Sequence, residues 1–200
     1  MPRTPEQYEE IRNEKKQKIM DVALQLFANM GFHATSISQI AEKANISKGL
    51  IYNYFESKEH LLKSITTAFS NEIMKRMNPD NDDEITIDEA IQFFDWYFNM
   101  LKANKEQMKL YFQLSVQPQV LKIILDNGVS ELNNRQQNLI FNFLRRNSSH
   151  DPMICLINLS SVLKGFAFQY VYAPEMFPDE LIEKYKKHLI DRYIYNIQTP

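Results

Sequence analysis

The 27-residue stretch from Thr35 to Leu61 constrains the fold more than any other part of the chain. It holds two short helical patterns and the start of a third, each preceded by a serine that can accept a hydrogen bond from a free helix N–H. These serines are Ser36, Ser47 and Ser57. Between the first two patterns Asn45 can adopt the left-handed backbone of a sharp turn. The spacing predicts a helix-turn-helix with helices over about Ile37–Ala44 and Lys48–Tyr54.

Polar side chains remain on and around the second helix once the caps and the apolar core positions are assigned. A recognition helix needs such side chains to contact base edges, with neighbours that grip phosphates. Lys48 suits a guanine edge or a phosphate, Gly49 allows close backbone approach, and Asn53 suits a base edge. We therefore expect DNA contacts from Thr35, Ser36, Ser47, Lys48, Gly49, Tyr52, Asn53, Tyr54 and Lys58. The alternative is a packed three-helix unit without a DNA role.

The same stretch resembles the DNA-binding domain of the tetracycline-repressor (TetR) family of bacterial transcriptional regulators. The resemblance covers about a quarter of the chain and is specific as a joint pattern. The matching residues are Gly31-Phe32, Thr35-Ser36, Ile40-Ala41, the run Ser47–Phe55, and Ser57-Lys58-Glu59. The resemblance implies that Tyr52 and Lys58 hold the DNA backbone, whereas Asn53 falls where members of the family vary.

Composition is that of an ordinary globular chain, with 44% apolar and 24% charged residues among 200. The net charge of −2 does not argue for DNA binding, since residues 1–63 carry nine Lys/Arg against eight Asp/Glu. The run Lys15–Lys18 is either a solvated helix face or a phosphate contact. One cysteine excludes an internal disulfide framework. A charged N-terminus and the lack of a long uninterrupted apolar run favour a cytoplasmic location without a membrane span.

Helix signals continue to the end of the chain, so the predicted fold class is all-α with nine or ten helices. Thr4-Pro5 and Asp151-Pro152 are helix starts, and Asn127-Gly128 is a helix C-cap or kink. The helix after Thr86 is so rich in aromatic residues that we expect it to be buried on most sides. We predict a DNA-binding domain over 1–60 and a larger domain for effector binding and dimerisation over 61–200.

The C-terminal helices suggest two surfaces. Aromatic and Met side chains either line an effector pocket or simply fill the core: Phe93, Trp96, Tyr97, Met100, Met108, Tyr111, Phe112 and Phe166. The pocket would favour an apolar or aromatic effector. The last two helices, at about 152–173 and 179–198, have apolar excess, and the resemblance implies a homodimer through them that reads a palindromic operator. It also implies that the effector shifts the helix after the helix-turn-helix and releases DNA.

Two other functions compete with this interpretation. An enzyme finds little support, because the four histidines are scattered and we see no metal-ligand spacing, cofactor loop or catalytic motif. An all-α lipid carrier or interaction module would use only the aromatic C-terminal part. The sequence leaves open the effector, the operator, the regulated gene, and whether the output is repression or activation.

Overall fold

The computed structural model describes residues 4–126, 129–148 and 150–195. Over these residues all regular secondary structure is helical, which confirms the all-α prediction. Its ten α-helices and one 3₁₀ turn, η1 (Pro174–Met176), follow in order. The helices are α1 (Pro5–Met30), α2 (Ile37–Ala44), α3 (Lys48–Tyr52), α4 (Lys58–Met77), α5 (Ile87–Ala103), α6 (Lys105–Ser115), α7 (Pro118–Asp126), α8 (Val129–Asn147), α9 (Pro152–Tyr172) and α10 (Asp179–Tyr193).

Four helices begin at a residue whose side chain accepts backbone N–H groups from the first turn. Thr4, Ser36 and Thr86 each form a capping box, in which the hydroxyl accepts the third helical N–H and that residue's side chain accepts the cap's own N–H. The Asp151 carboxylate accepts the N–H groups of Met153 and Ile154 and so starts α9. The predicted starts of these helices are therefore confirmed.

Two predicted helix ends differ from the structure. The helix expected to reach Tyr54 ends at Tyr52, because Asn53 and Tyr54 donate their N–H groups three residues back, as in a turn. The last helix, expected to reach about 198, ends at Tyr193, and residues 196–198 lie outside the described part. The predicted C-cap or kink at 127–128 also falls outside it.

The helices group into two compact units. The first comprises Met1–Ala68 and Leu110–Val129, and the second Phe69–Lys109 and Ser130–Pro200. These units of packing do not test the functional division at residue 60, which stays a prediction. The first unit surrounds a core in which Phe27, Ile40, Ile51 and Phe55 are almost fully buried.

The second unit places α5 against α9 and α10. The Tyr97 hydroxyl donates a 2.7 Å hydrogen bond to the Leu163 carbonyl, and Lys186 joins Asp95 across α5 and α10. Between Ile91 and Lys102 only Gln92 and Asn99 are exposed, which agrees with the prediction that α5 is buried on most sides; Phe93, Trp96 and Tyr97 are half-buried. Its fully buried face consists of Ala90, Phe94, Phe98 and Leu101.

One helix of the second unit, α9, is long and apolar enough to cross a membrane by length and composition, with a mean hydropathy of 1.4 over 18 residues. Its apolar residues are interrupted by Asn158, Lys164 and Gln169, and its other face packs within the unit through Cys155, Phe166 and Val171. The helix therefore packs within the unit on one side and is exposed on the other.

Candidate nucleic-acid interface

The turn between α2 and α3 has the geometry that the sequence predicts. Asn45 has φ 56° and ψ 51°, the left-handed conformation, and its N–H is directed at the carbonyls of Ala41 and Glu42 at the end of α2. Ser47 then starts α3 by accepting the N–H of Leu50 at 3.2 Å. Ile40, Ile51 and other buried residues hold the two helices together, so the opposite side of α3 is free to meet a ligand.

The free side of α3 carries Lys48, Gly49, Tyr52 and Asn53, all exposed to solvent. Tyr52 is 49% exposed, so its ring and hydroxyl are accessible from solvent. A Cβ atom added at Gly49 would meet nothing within 4 Å, so the packing of the domain does not require glycine there. A glycine in a helix costs stability, and open space in front of it suits a ligand that approaches the backbone closely.

The N-terminus of α2 is the second part of this surface. Ser36 is exposed, and its hydroxyl both accepts the N–H of Gln39 and donates to the Gln39 side-chain oxygen at 2.8 Å. The first turn of a helix presents N–H groups that attract anions such as phosphate. Together, Ser36, Ser47 and the exposed face of α3 could hold two stretches of a DNA backbone with bases between them.

Three of the residues predicted to contact DNA have side chains that are engaged within the domain in the free chain. Thr35 is only 1% exposed, and its hydroxyl donates to the carbonyls of Gly31 and Leu26, so it is turned into the domain. Tyr54 is half-buried and packs against the hydrophobic core instead of facing outward. Lys58 is half-buried, and its ammonium group donates to backbone carbonyls within the domain.

One residue of this unit gave no signal in the sequence. Gln117, between α6 and α7, accepts the N–H of Phe32 at 2.9 Å and donates to the carbonyl of Phe27 at 2.8 Å. These partners lie 85 and 90 residues away in the chain. Glutamine is common on any helix surface, so only the three-dimensional structure identifies this contact.

The residues predicted to line an effector pocket fall in both units. Tyr111 and Phe112 belong to the first, where Tyr111 packs against the hydrophobic core and burial raises its pKa to about 12. In the second, the rings of Phe93, Trp96 and Tyr97 form a partly exposed cluster with centroids 5.7 and 6.0 Å from Phe93. The other three residues of the set also lie in the second unit, with Met108 and Phe166 buried and Met100 half-buried.

An open groove lies between α9, η1 and α10. Its volume is about 480 Å³, and it is lined by Ser161, Val162, Gly165, Phe166, Gln169, Phe177, Leu181 and Tyr185. A Cβ atom at Gly165 would meet nothing within 4 Å. Further exposed apolar side chains lie along the same side of α9 as the groove. They include Ile154, Ile157, Phe168 and Tyr172.

Comparison with known proteins identifies what the N-terminal unit resembles. A sequence model of bacterial regulatory proteins of the tetR family matches residues 19–65, from the middle of α1 into α4. IcaR, the negative transcriptional regulator of the biofilm operon icaADBC in Staphylococcus epidermidis, is 32% identical over 120 residues. That alignment covers 59% of this chain and 63% of IcaR, less than two thirds of this relative's length.

Two solved structures share the fold over nearly the whole chain. The fatty acid degradation regulator FadR from Bacillus halodurans has a TM-score of 0.68 at 18% identity, with 100% of both chains covered. FadR from Bacillus subtilis, in complex with stearoyl-CoA, has a TM-score of 0.64 at 17% identity, with 91% of this chain and 99% of that chain covered. The likeness of fold therefore extends through the C-terminal helices.

Proposed function

We propose that the chain is a member of the tetR family of bacterial regulatory proteins and acts as a DNA-binding transcriptional repressor controlled by a small apolar effector. On this proposal it acts as a regulator and not as an enzyme, as its relatives named above are regulators. Residues 1–60 would bind a palindromic operator, and residues 61–200 would dimerise and bind the effector. Repression is proposed because IcaR, the relative compared above, is a negative regulator.

The exposed face of α3 carries this proposal. Lys48, Tyr52 and Asn53 stand around Gly49, where nothing in the domain fills the space. A short helix with a bare backbone and polar neighbours can enter a major groove, with Asn53 on a base edge and Tyr52 on a phosphate.

Selection of bound duplexes from a random DNA pool tests the proposal directly. We expect the wild-type protein to enrich one palindromic sequence, Asn53→Ala to relax base preference at one position of each half-site, and Tyr52→Phe to weaken binding equally for all sequences. Glu56→Gln, at an exposed position outside the two helices of the motif, is the control. If the wild-type protein enriches no sequence, the proposal that it recognises specific DNA is refuted.

The homodimer is proposed to form through α9 and α10. In one copy these helices leave apolar surface exposed, both in the groove and along α9, and no atom of the same chain lies within 4 Å of a Cβ added at Gly165. Since glycine is unfavourable inside a helix, its presence is better explained by close approach of a second chain. A two-fold dimer would place two copies of α3 on one face of DNA, about 34–36 Å apart.

Gly165→Leu tests dimerisation without disturbing the fold of a single chain. The added side chain meets no atom of its own chain near Cβ, so the variant should fold with unchanged helicity, yet it should be monomeric in sedimentation velocity experiments. Lys187→Leu places the same side chain on an exposed position of α10 that does not line the groove, and should stay dimeric. A dimeric Gly165→Leu protein would contradict this interface.

The effector is proposed to be apolar because the half-buried rings of Phe93, Trp96 and Tyr97 offer an aromatic surface. The Arg76 guanidinium, which lies 5.7 Å from the Trp96 ring centroid, is already paired with Glu72. Stearoyl-CoA is the first probe, since the Bacillus subtilis FadR structure contains it. Trp96 is the single tryptophan, so its fluorescence reports binding near the cluster directly.

We expect stearoyl-CoA, or stearate as the bare acyl chain, to change Trp96 fluorescence and to lower operator affinity over the same concentration range. Coenzyme A alone should do neither. Trp96→Phe removes the fluorescence signal and serves as its control. If neither acyl compound nor an aromatic probe such as naphthalene alters operator binding, the apolar effector is refuted.

A further inference from the structure

The turn between α1 and α2 decides where the N-terminus of α2 lies. It runs from Gly31, with φ 90°, to Thr35, and has no regular secondary structure. Ser36 follows at once as the cap of α2. Any movement of the turn therefore moves Ser36 and the first N–H groups of α2, which belong to the proposed DNA surface.

Phe32 is the anchored residue of this turn. Its ring is 2% exposed and packs edge-on against Phe27, with centroids 5.1 Å apart. Its N–H donates to the side-chain oxygen of Gln117, and its carbonyl accepts from the ammonium group of Lys58 at 2.8 Å. Both backbone polar groups of one turn residue are thus held by side chains from elsewhere in the chain.

Lys58 reaches this turn from the first residue of α4. Its ammonium nitrogen donates to the carbonyls of Phe32 and Thr35, both at 2.8 Å, and more weakly to that of His33 at 3.4 Å. It also lies 4.5 Å from the centroid of the Phe32 ring. An ammonium group has three N–H donors, and three carbonyls engage them here, which leaves none for a phosphate.

Gln117 holds the turn from the junction of α6 and α7. Its amide nitrogen donates to the carbonyl of Phe27 while its oxygen accepts from Phe32, so one side chain joins the last turn of α1 to the turn that follows. Leu114 and Val120, on either side of it, are fully buried in the core of the same unit. The side chain is therefore carried by a fixed piece of backbone.

We propose that Lys58 and Gln117 are positioning residues for DNA binding, which clamp Phe32 by its carbonyl and its N–H and so hold the N-terminus of α2 in place without touching DNA. This inference rests on the proposed function. It also assigns the α6–α7 junction a direct influence on the DNA-binding surface.

Hydrogen exchange of backbone amides in the free protein tests, independently of DNA, whether Lys58 and Gln117 hold Phe32 in this way; the two side chains are called the clamp below. We expect Gln117→Met and Lys58→Met to speed exchange of the Phe32 amide and of the first amides of α2 at least tenfold, with exchange in α1 and α4 cores unchanged. Gln119→Met, at an exposed position of α7, and Lys75→Met, at an exposed position of α4, are matched controls. Unchanged exchange in the turn would overturn the clamp.

Affinity for the selected operator then tests the role in binding. Loss of either clamp side chain should weaken binding about tenfold, the cost of leaving a buried polar group unpaired. For Lys58→Met the slope of log K against log salt should equal that of wild type, because no phosphate contact is lost. A phosphate ligand would instead reduce the slope by about 0.9 per copy.

The outcomes separate the two hypotheses. If the wild-type protein selects no DNA, the proposed function fails, and the DNA-binding role of the clamp fails with it. If wild type binds but Lys58→Met has a reduced slope, or Gln117→Met binds within twofold of wild type, only the clamp is refuted. If Lys58→Met does not fold, Lys58→Gln, which keeps an N–H donor, takes its place in the salt series.

Discussion

Removal of the Thr35 hydroxyl distinguishes an internal role of this residue from the DNA contact that the sequence suggested. In the structure the hydroxyl has one proton, shared between the carbonyls of Gly31 at 2.9 Å and Leu26 at 3.2 Å. Thr35→Val keeps the shape of the side chain and removes only the donor. Because the residue is buried, water cannot replace the lost partner.

The expected cost is about 1–2 kcal/mol of unfolding free energy, the range for a buried hydrogen bond whose acceptors lose their donor. Thr66→Val is the matched control. Its hydroxyl also donates to two carbonyls, of Leu62 at 3.3 Å and Lys63 at 3.0 Å, but it is partly exposed and lies within α4. Bonds of this kind to the preceding helical turn add little, so we expect a change of less than about 0.5 kcal/mol.

Urea unfolding followed by circular dichroism measures both values, with an unchanged m-value as the sign that only stability has changed. Operator affinity should fall in Thr35→Val without a change in salt slope, because the turn before α2 is loosened. Equal stability losses in the two variants would refute the reasoning, as would a Thr35→Val protein of wild-type stability that fails to bind DNA.

Two further variants probe buried and exposed sites of the chain. Burial raises the pKa of Tyr97 well above its usual value, so the native state keeps a proton that the unfolded chain loses above about pH 10. The free energy of unfolding should therefore fall as pH rises beyond 10. Urea unfolding at pH 8 and 11 should show a smaller fall for Tyr97→Phe than for wild type. An equal fall in the two proteins would contradict this. Gly49→Ala should stabilise the free protein by about 0.5 kcal/mol in the same assay, since alanine favours a helix, and yet weaken operator binding. A variant that binds as well as wild type would show that the backbone of α3 does not approach DNA closely.

Features that depend on neighbours a few residues apart could be predicted from the sequence. The capping boxes at Thr4, Ser36 and Thr86 are such features, and so is the left-handed Asn45. In each case the donor and the acceptor belong to one turn of chain, so the residue types and their spacing suffice. The all-α fold and the helix-turn-helix follow from the sum of these local signals.

The sequence did not indicate the surroundings of side chains whose partners lie in other elements. Thr35 and Lys58 have types that suit a phosphate, and nothing in their spacing shows that carbonyls 4 to 26 residues away already engage them. The aromatic composition of α5 does predict that this helix is largely buried, but which of its rings are fully buried depends on the helices that pack against it, and composition does not specify that.

The net charge of −2 does not set how strongly the chain binds phosphates, because only cations on the DNA-binding surface contact them. The stretch from Ser36 to Asn53 contains two lysines, Lys43 and Lys48, and its other DNA-facing groups are hydroxyls, an amide and helix N–H groups, which are neutral. With Lys58 engaged inside the domain, a dimer can neutralise at most about four phosphates through this motif. The slope of log K against log salt should then be no steeper than about −4. A slope near −8 would mean that other cations bind the backbone, and the exposed Lys15–Lys18 run of α1 would be the first to replace.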